Sequence, residues 1–182
     1  VDVFITNVSP VNSIYPDDIT VTGYITYPDH LPVPTGTVEL ILGDKTINAV
    51  LNGVNFTGIL HGIKPNNYTT LKSTFKPSIN LNYTGNQTTH EFEQINIIKH
   101  NSTVSGMTVN VVQSYPGIVR IQGQVGGVNE RAPTGKVVAI YNGVVYGEFN
   151  LNADGSFDFD AANLPVGEYN LTITYTGDDY YN

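Results

Sequence analysis

The closing stretch YTGDDYYN places two neighbouring carboxylates, Asp178 and Asp179, directly after a glycine. Such a pair could bind a metal or do acid–base work, or it could only shape a turn. An earlier stretch, INLNYTGN at 79–86, has the same pattern with Asn86 at the place of Asp178. An exchange of Asp for Asn would abolish an acid catalyst but suits a turn, because both side chains bond their own backbone. The sequence therefore predicts a turn residue at Asp178.

A second pair of carboxylates, Asp158 and Asp160, lies in the alternating stretch SFDFD. Two acids on one face of a strand could form a glycosidase dyad or bind calcium. The same alternation turns Phe157 and Phe159 to the core and leaves the two acids on a solvated face. We therefore expect a polar sheet surface rather than a catalytic pair.

Other ligands and nucleophiles are sparse. The chain has no cysteine, and no phosphate-binding loop or nucleophile motif is present. Metal-ligand spacing is absent among the four histidines, His30, His61, His90 and His100. The sequence predicts no catalytic residue, no metal centre and no enzyme. Calcium is the one cofactor left open, between domains, at Asp158 and Asp160 or at a predicted strand start that holds Asp17 and Asp18.

The charge balance argues against two classes of partner. The 182 residues carry a net charge of −8, and hydrophobic residues make up 40%. A nucleic-acid-binding protein usually carries a basic stripe, which this chain lacks, and an anionic membrane surface is unfavourable for the same reason. No apolar run is long enough to cross a bilayer. We expect no nucleic-acid partner and no membrane insertion of this segment.

The chain repeats itself after about 100 residues, and its Val, Ile, Thr and Tyr content favours strands. A repeat of this length suits a whole β-sandwich domain. Three pairs of similar stretches occur in the same order: 15–23 with 115–123, 33–44 with 132–143, and 79–86 with 171–178. The sequence therefore predicts an all-β protein with two domains, 1–99 and 100–182, joined near 99–103.

Alternation and turn residues indicate the same strands in both copies. Leu171, Ile173 and Tyr175 share one face, and the Tyr175 hydroxyl should find a partner at the rim. The corresponding inward residues of the first copy are Ile79, Leu81 and Tyr83. Two turns are specified by their glycines: Asn52-Gly53 predicts a type I′ hairpin, and NADG predicts a longer turn with Gly155 in the left-handed region.

The third pair of stretches has a shorter offset, which predicts about seven extra residues in the first copy, within 61–78. Long loops on rigid sandwiches often carry binding sites. Lys64, Lys72 and Lys76 lie in this segment. We therefore expect a protruding, positively charged loop that could bind a partner.

The two copies end differently. In the first, 86–100 contains EFEQINIIKH, which alternates well enough for a last strand, although a helix also fits. In the second, only 178–182 follow the glycine, fewer than a further strand needs. The second domain is therefore predicted to lack its last strand, so that its open sheet edge could self-associate or receive a strand from a following segment.

The stretches PTG at 133–135 and LPVGEYNLTITYTGDDYYN at 164–182 resemble the Ig-like repeat domains of bacterial and archaeal cell-surface adhesin-like proteins. The resemblance covers most of both halves. The first copy departs from it at YTGNQTTH, which lacks the Asp and the final Tyr. The resemblance implies two tandem Ig-like β-sandwiches with no common catalytic residue, in an extracellular setting at the cell surface.

This resemblance implies a structural function, as a spacer or stalk segment whose partners are further repeats of the same chain and glycans or proteins of another cell. Two alternatives remain: a carbohydrate-binding module with a flat platform of tyrosines, and a pilus-like filament subunit assembled by strand donation. Seven N-x-S/T sequons are candidate N-glycosylation sites that would need a secretory setting: Asn7, Asn55, Asn67, Asn82, Asn86, Asn101 and Asn170.

Overall fold

The computed structural model describes residues 1–78, 83–111, 116–128 and 131–182. Every regular element in these residues is a strand, so the prediction of an all-β protein is confirmed. None of the described segments forms a helix that could cross a membrane. The chain divides into two compact units, which we call unit 1 (Val1–Ile98) and unit 2 (Lys99–Asn182).

Unit 1 is one eight-stranded sheet with the order β1-β3-β6-β5-β4-β7-β8-β2. Its strands are β1 (Asp2–Ser9), β2 (Asn12–Ile14), β3 (Ile19–Thr26), β4 (Gly36–Leu42), β5 (Lys45–Asn52), β6 (Asn55–Leu60), β7 (Asn66–Pro77) and β8 (Thr88–Ile98). β5 pairs with β4 along most of its length but with β6 only at Leu51 and Asn52. Side chains from both sides of this junction, such as Val21 and Leu40, meet in a single core.

Unit 2 has two three-stranded sheets, with the orders β13-β10-β9 and β12-β11-β14. The strands are β9 (Thr103–Val111), β10 (Ile118–Gly126), β11 (Lys136–Tyr141), β12 (Val144–Asn150), β13 (Ser156–Ala162) and β14 (Leu171–Tyr175). Each sheet contributes buried side chains to one common core, including Ile121 and Phe157 from the first and Val137 and Ile173 from the second.

The strand registers show which residues of the two units correspond. Val38 of β4 pairs with Phe75 of β7, and Val137 of β11 pairs with Tyr175 of β14. Since Val38 and Val137 occupy the same place in the repeated PTG stretch, β7 corresponds to β14 with a constant offset of 100 residues. The third pair of stretches in the sequence, 79–86 with 171–178, is therefore aligned wrongly.

The buried tyrosines also contradict the alignment of 79–86 with 171–178. The hydroxyl of Tyr83 donates to the carbonyl of Pro32, and that of Tyr181 donates to the carbonyl of Arg131. Both tyrosines are almost completely buried. Tyr83 thus corresponds to Tyr181 and not to Tyr175. The inward positions predicted at 79 and 81 lie outside the described residues.

Turn chemistry differs from prediction at one hairpin. The β5–β6 loop is Gly53-Val54, with φ 62° at Gly53 and no positive φ at Asn52. That is the pattern of a type II′ turn, so the predicted type I′ turn is wrong. The predicted left-handed Gly155 is confirmed, with φ 82°.

A shared glycine contact explains one motif of the repeat. Gly23 pairs with Phe56, and Gly123 pairs with Phe157. A Cβ atom on Gly23 would lie 2.5 Å from Cζ of Phe56, and one on Gly123 would lie 2.3 Å from Cζ of Phe157. In each unit the buried phenyl ring therefore packs over a glycine of the neighbouring strand.

We expect Gly123→Ala to destabilise unit 2 by about 1–3 kcal/mol, because the new methyl group overlaps the buried ring of Phe157. Gly167→Ala is the matched control, since its Cβ would meet atoms at 3.7 Å, an ordinary contact. Urea unfolding of the two variants measures the difference, and equal stabilities would contradict the packing argument.

The two cores are made of residues from separate units. We therefore expect a fragment of residues 1–98 to unfold cooperatively by itself, with a midpoint close to that of the same unit in the whole chain. Circular dichroism and calorimetry on the fragment and the whole chain test this. A fragment 1–98 without a cooperative transition would mean that unit 1 depends on unit 2.

Candidate functional site

The carboxylate of Asp178 lies inside the turn that ends unit 2. Its Oδ2 accepts hydrogen bonds from the backbone N–H and the hydroxyl of Thr134, both at 2.8 Å. Its Oδ1 accepts from the backbone N–H groups of Tyr180 at 2.7 Å and Tyr181 at 2.9 Å. Gly177, with φ 81°, starts the turn. Both oxygens are therefore occupied by donors of the protein itself.

These donors also determine the protonation of Asp178. Partial burial by itself would raise the pKa of this carboxyl, but the hydrogen bonds from Thr134, Tyr180 and Tyr181 outweigh burial and lower it. The group stays ionised, which suits an acceptor and not a proton donor. In unit 1 the corresponding residue is Ser78, whose hydroxyl lies 2.8 Å from that of Thr35. Both residues bond the threonine of the PTG stretch, which supports the interpretation of Asp178 as a turn residue. The predicted counterpart, Asn86, is wrong.

The turn holds the two ends of unit 2 together. The backbone of His100 accepts from Asn182 N–H at 3.0 Å and donates to the Tyr180 carbonyl at 3.0 Å, as in a parallel pair of strands. Ser102 N–H donates to the Asn182 carbonyl at 3.2 Å. The segment 99–103, predicted as a linker, therefore begins unit 2. The Tyr175 hydroxyl donates to the Thr134 carbonyl at 2.6 Å, which confirms the prediction that this hydroxyl finds a partner.

Asp158 forms an ion pair on the exposed face of β13. Arg120 donates from Nε to Oδ1 at 2.8 Å and from Nη2 to Oδ2, and Gln122 donates to Oδ2 at 3.0 Å. The hydrogen bonds from Arg120 lower the pKa of Asp158. Asp160 is exposed on the same face, next to Arg120 in the ladder. A glycosidase acid requires a raised pKa, so this geometry favours the predicted polar surface.

Two further acids and two of the histidines in unit 1 make local contacts. Asp17 accepts from Ile14 N–H at 3.1 Å, and Asp18 lies 2.5 Å from Nδ1 of His61. Nε2 of His90 lies 2.7 Å from the Ser73 hydroxyl, and burial lowers the pKa of this histidine. No group of three or more His, Asp or Glu arranged to hold a metal occurs in the described part of the chain.

The segment 61–78 is not a protruding loop. Residues 66–77 form β7, which lies between β4 and β8 in the sheet, because β7 is the counterpart of β14 and not an insertion. Lys72 and Lys76 belong to this strand, and Nζ of Lys76 lies 3.4 Å from Oε1 of Glu39. Lys64 precedes the strand, and its N–H donates to Asp44. The prediction that Lys64, Lys72 and Lys76 lie on a protruding loop is therefore wrong.

The sequons are mostly accessible. Six of the seven asparagines are exposed, and the seventh, Asn82, lies outside the described residues. The exposed ones are Asn7, Asn55, Asn67, Asn86, Asn101 and Asn170. Exposure is the condition that a glycan on any of them requires.

A groove in unit 2 was not foreseen from the sequence. It lies between the two sheets, has a volume of about 540 Å³ and is lined mainly by apolar side chains. They include Val119, Ile121, Tyr141, Val166, Tyr169 and Leu171. Alternating apolar residues in the sequence predict that these side chains face a core. The pattern does not indicate whether that core is covered on every side.

The tyrosines of the groove do not form a flat sugar platform. The rings of Tyr141 and Tyr146 are inclined by 58°, and those of Tyr141 and Tyr169 by 87°. The exposed rings of Phe4 and Tyr24 in unit 1 are nearly parallel, at 13°, but they stack on each other with centroids 5.2 Å apart. These aromatic groups give no specific support to a carbohydrate-binding module.

We expect Asp178→Asn to destabilise unit 2 by about 1–3 kcal/mol at pH 7, because the amide NH₂ would face donors that need an acceptor. Folding lowers the pKa of Asp178 below the unfolded value of about 3.9. The stabilisation is therefore complete above that value and is lost as the pH falls through the folded pKa. The difference between wild type and variant should therefore shrink as the pH falls below about 3.9.

Urea unfolding as a function of pH measures this difference. Glu168→Gln is the control, since it removes one negative charge from an exposed side chain of the same unit. A difference between Asp178→Asn and wild type that stays constant down to pH 2 would mean that the carboxylate charge is not the cause.

Comparisons with known proteins leave the family of this chain open. No protein-family model and no curated protein matches the sequence. Among solved structures, a DUF4785 family protein from Legionella pneumophila is similar at a TM-score of 0.34 and 13% identity. The match covers 90% of this chain and 49% of that protein, so the chain spans about half the length of that structure.

Proposed function

We propose that this chain is a structural spacer segment of a cell-surface adhesin-like protein, built from two tandem Ig-like β-sandwich domains. The observation that supports it best is the repeated framework: the register of β4 with β7 recurs in β11 with β14. The carboxylates considered for chemistry, Asp178 and Asp158, are occupied by donors of the same unit. Such a segment works by its shape and resistance to extension, and needs no reactive group.

The two ends of unit 2 are paired through backbone hydrogen bonds, an arrangement that suits a segment under tension. The pairing of 100–102 with 180–182 is parallel, so tension on the first and last residues pulls the two segments past each other. The hydrogen bonds of His100, Ser102 and Asn182 are then loaded together in shear, and none can open before the others. Unit 2 should therefore resist force applied along this direction.

The surface is compatible with an extracellular setting. The exposed sequon asparagines could carry glycans, and the net charge of −8 would keep tandem repeats soluble and apart. In this proposal the partners are further repeats of the same protein and glycans or proteins of another cell.

Single-molecule extension of the chain, held at its two ends, tests the spacer function. We expect two unfolding events with contour lengths of about 34 nm and about 29 nm, from roughly 3.5 Å for each residue of the two units. Ser102→Pro removes an N–H that bonds Asn182 and should lower the unfolding force of unit 2. Ser102→Ala keeps this N–H and should lower the force much less.

Two outcomes would contradict the spacer proposal. One is a unit 2 that extends without a distinct unfolding event in the wild-type chain. The other is hydrolysis of a polysaccharide by the chain, which would favour the enzymatic alternative.

A further inference from the structure

β7 and β14 differ in what lies on their outer side. In unit 1, β8 pairs with β7 antiparallel, with Ile95 opposite Tyr68 and Ile97 opposite Asn66. Ile95 and Ile97 are 1% and 4% exposed, so this strand sends two alternate side chains into the core. In unit 2, β14 pairs with β11, and no other strand in the described residues lies beside it.

The core of unit 2 is open at the place that corresponds to β8. The hydroxyls of Tyr68 and Tyr169 each donate to the carbonyl four residues earlier, so the offset before β14 is 101 residues. The positions opposite Ile95 and Ile97 therefore correspond to Tyr169 and Gly167, which both line the groove. Val166 lines the 540 Å³ groove and is 86% exposed. The groove thus lies where the two isoleucines of β8 would project.

Burial at matched positions indicates the same difference. Three core residues of unit 1 are 0% exposed, and their counterparts in unit 2 are only partly buried. The pairs are Ile19 with Val119, Leu42 with Tyr141, and Leu71 with Leu171. All three unit 2 residues line the groove. A covering element is therefore present in unit 1 and missing from the described part of unit 2.

The edge of β14 also offers free backbone groups. Thr176 N–H donates to the Lys136 carbonyl, and Asn142 N–H donates to the Asn170 carbonyl. Alternation along an antiparallel ladder then directs the N–H groups of Leu171, Ile173 and Tyr175 away from β11. These outward groups can pair with an added strand, as the edges of sheets do in peptide recognition.

We propose that unit 2 is an acceptor for an extended peptide strand that is not part of residues 1–182. The strand adds to β14 in the antiparallel direction, as β8 does to β7. Its recognition feature is a pair of branched aliphatic side chains two positions apart, which enter the groove between the sheets. A cavity of about 150 Å³ already holds a benzene molecule, so the groove has room for both side chains. This proposal does not depend on the spacer function.

A synthetic peptide with the sequence of β8, TTHEFEQINII, is the probe. We expect it to bind the whole chain with a Kd below roughly 1 mM. A peptide with Ser in place of both isoleucines of INI should bind at least roughly 100-fold more weakly, because it buries neither side chain. Equal binding of the two peptides, or no binding of the first, would overturn the proposal.

Variants of the protein locate the binding. Val166→Asp puts a charge at the mouth of the groove and should weaken binding at least roughly 10-fold. Val144→Asp is the matched control, since Val144 is also an exposed valine of unit 2, at 58%, and does not line the groove. Equal losses in the two variants would contradict binding in the groove.

Hydrogen exchange identifies the occupant. By the register of β8 with β7, the peptide should protect the amides of Leu171 and Ile173 and leave exchange on β7 unchanged. Three results would overturn the proposal: protection on β7, where the peptide would have replaced β8; protection of both amides in the free monomer, where this chain would already cover the edge; and protection that appears with dimerisation, where a second copy would be the occupant.

Discussion

The register between β4 and β7, and between β11 and β14, is the constraint on which the rest of both units depends. In an antiparallel pair a shift of one residue turns every side chain to the other face. The pairing of Val38 with Phe75 and of Val137 with Tyr175 therefore determines which residues enter the core. It also determines where the chain turns, because Ser78 and Asp178 follow at the same distance from this pair.

The turn after this strand shows how one framework accommodates two chemistries. Ser78 meets Thr35 through a hydroxyl pair, whereas Asp178 receives four hydrogen bonds from Thr134, Tyr180 and Tyr181. Charged hydrogen bonds are stronger than neutral ones. The last residues of unit 2 are therefore bonded to a carboxylate at a place where unit 1 has the hydroxyl pair of Ser78 and Thr35.

The two units differ most at the outer side of this same strand. β8 closes unit 1 by covering the edge of β7 and by placing Ile95 and Ile97 in the core. Unit 2 keeps an apolar groove and an unpaired edge at the corresponding place, within the residues that the structure describes. An edge strand beside exposed apolar side chains invites pairing with another chain. The proposed spacer and acceptor roles can coexist, since the paired ends of unit 2 and its groove use different residues.

The sequence by itself determined the all-β class, the shared face of Leu171 and Ile173, and the polar face of Asp158 and Asp160. These features depend on neighbouring residues, and a period of two is local information. The left-handed Gly155 is local in the same sense. Short-range chemistry therefore carried these predictions.

Tertiary structure alone decided which stretches correspond between the units. The shared tripeptide YTG aligned 79–86 with 171–178. The strand pairing shows instead that 66–77, which was predicted to contain a loop, is the strand of unit 1 that corresponds to β14. The donors around Asp178 and the groove beside β14 also come from residues far apart in the chain. Strand pairing joins residues far apart in the chain and depends on which of several possible pairings gives the best-packed core. Local patterns in a single sequence do not distinguish these pairings.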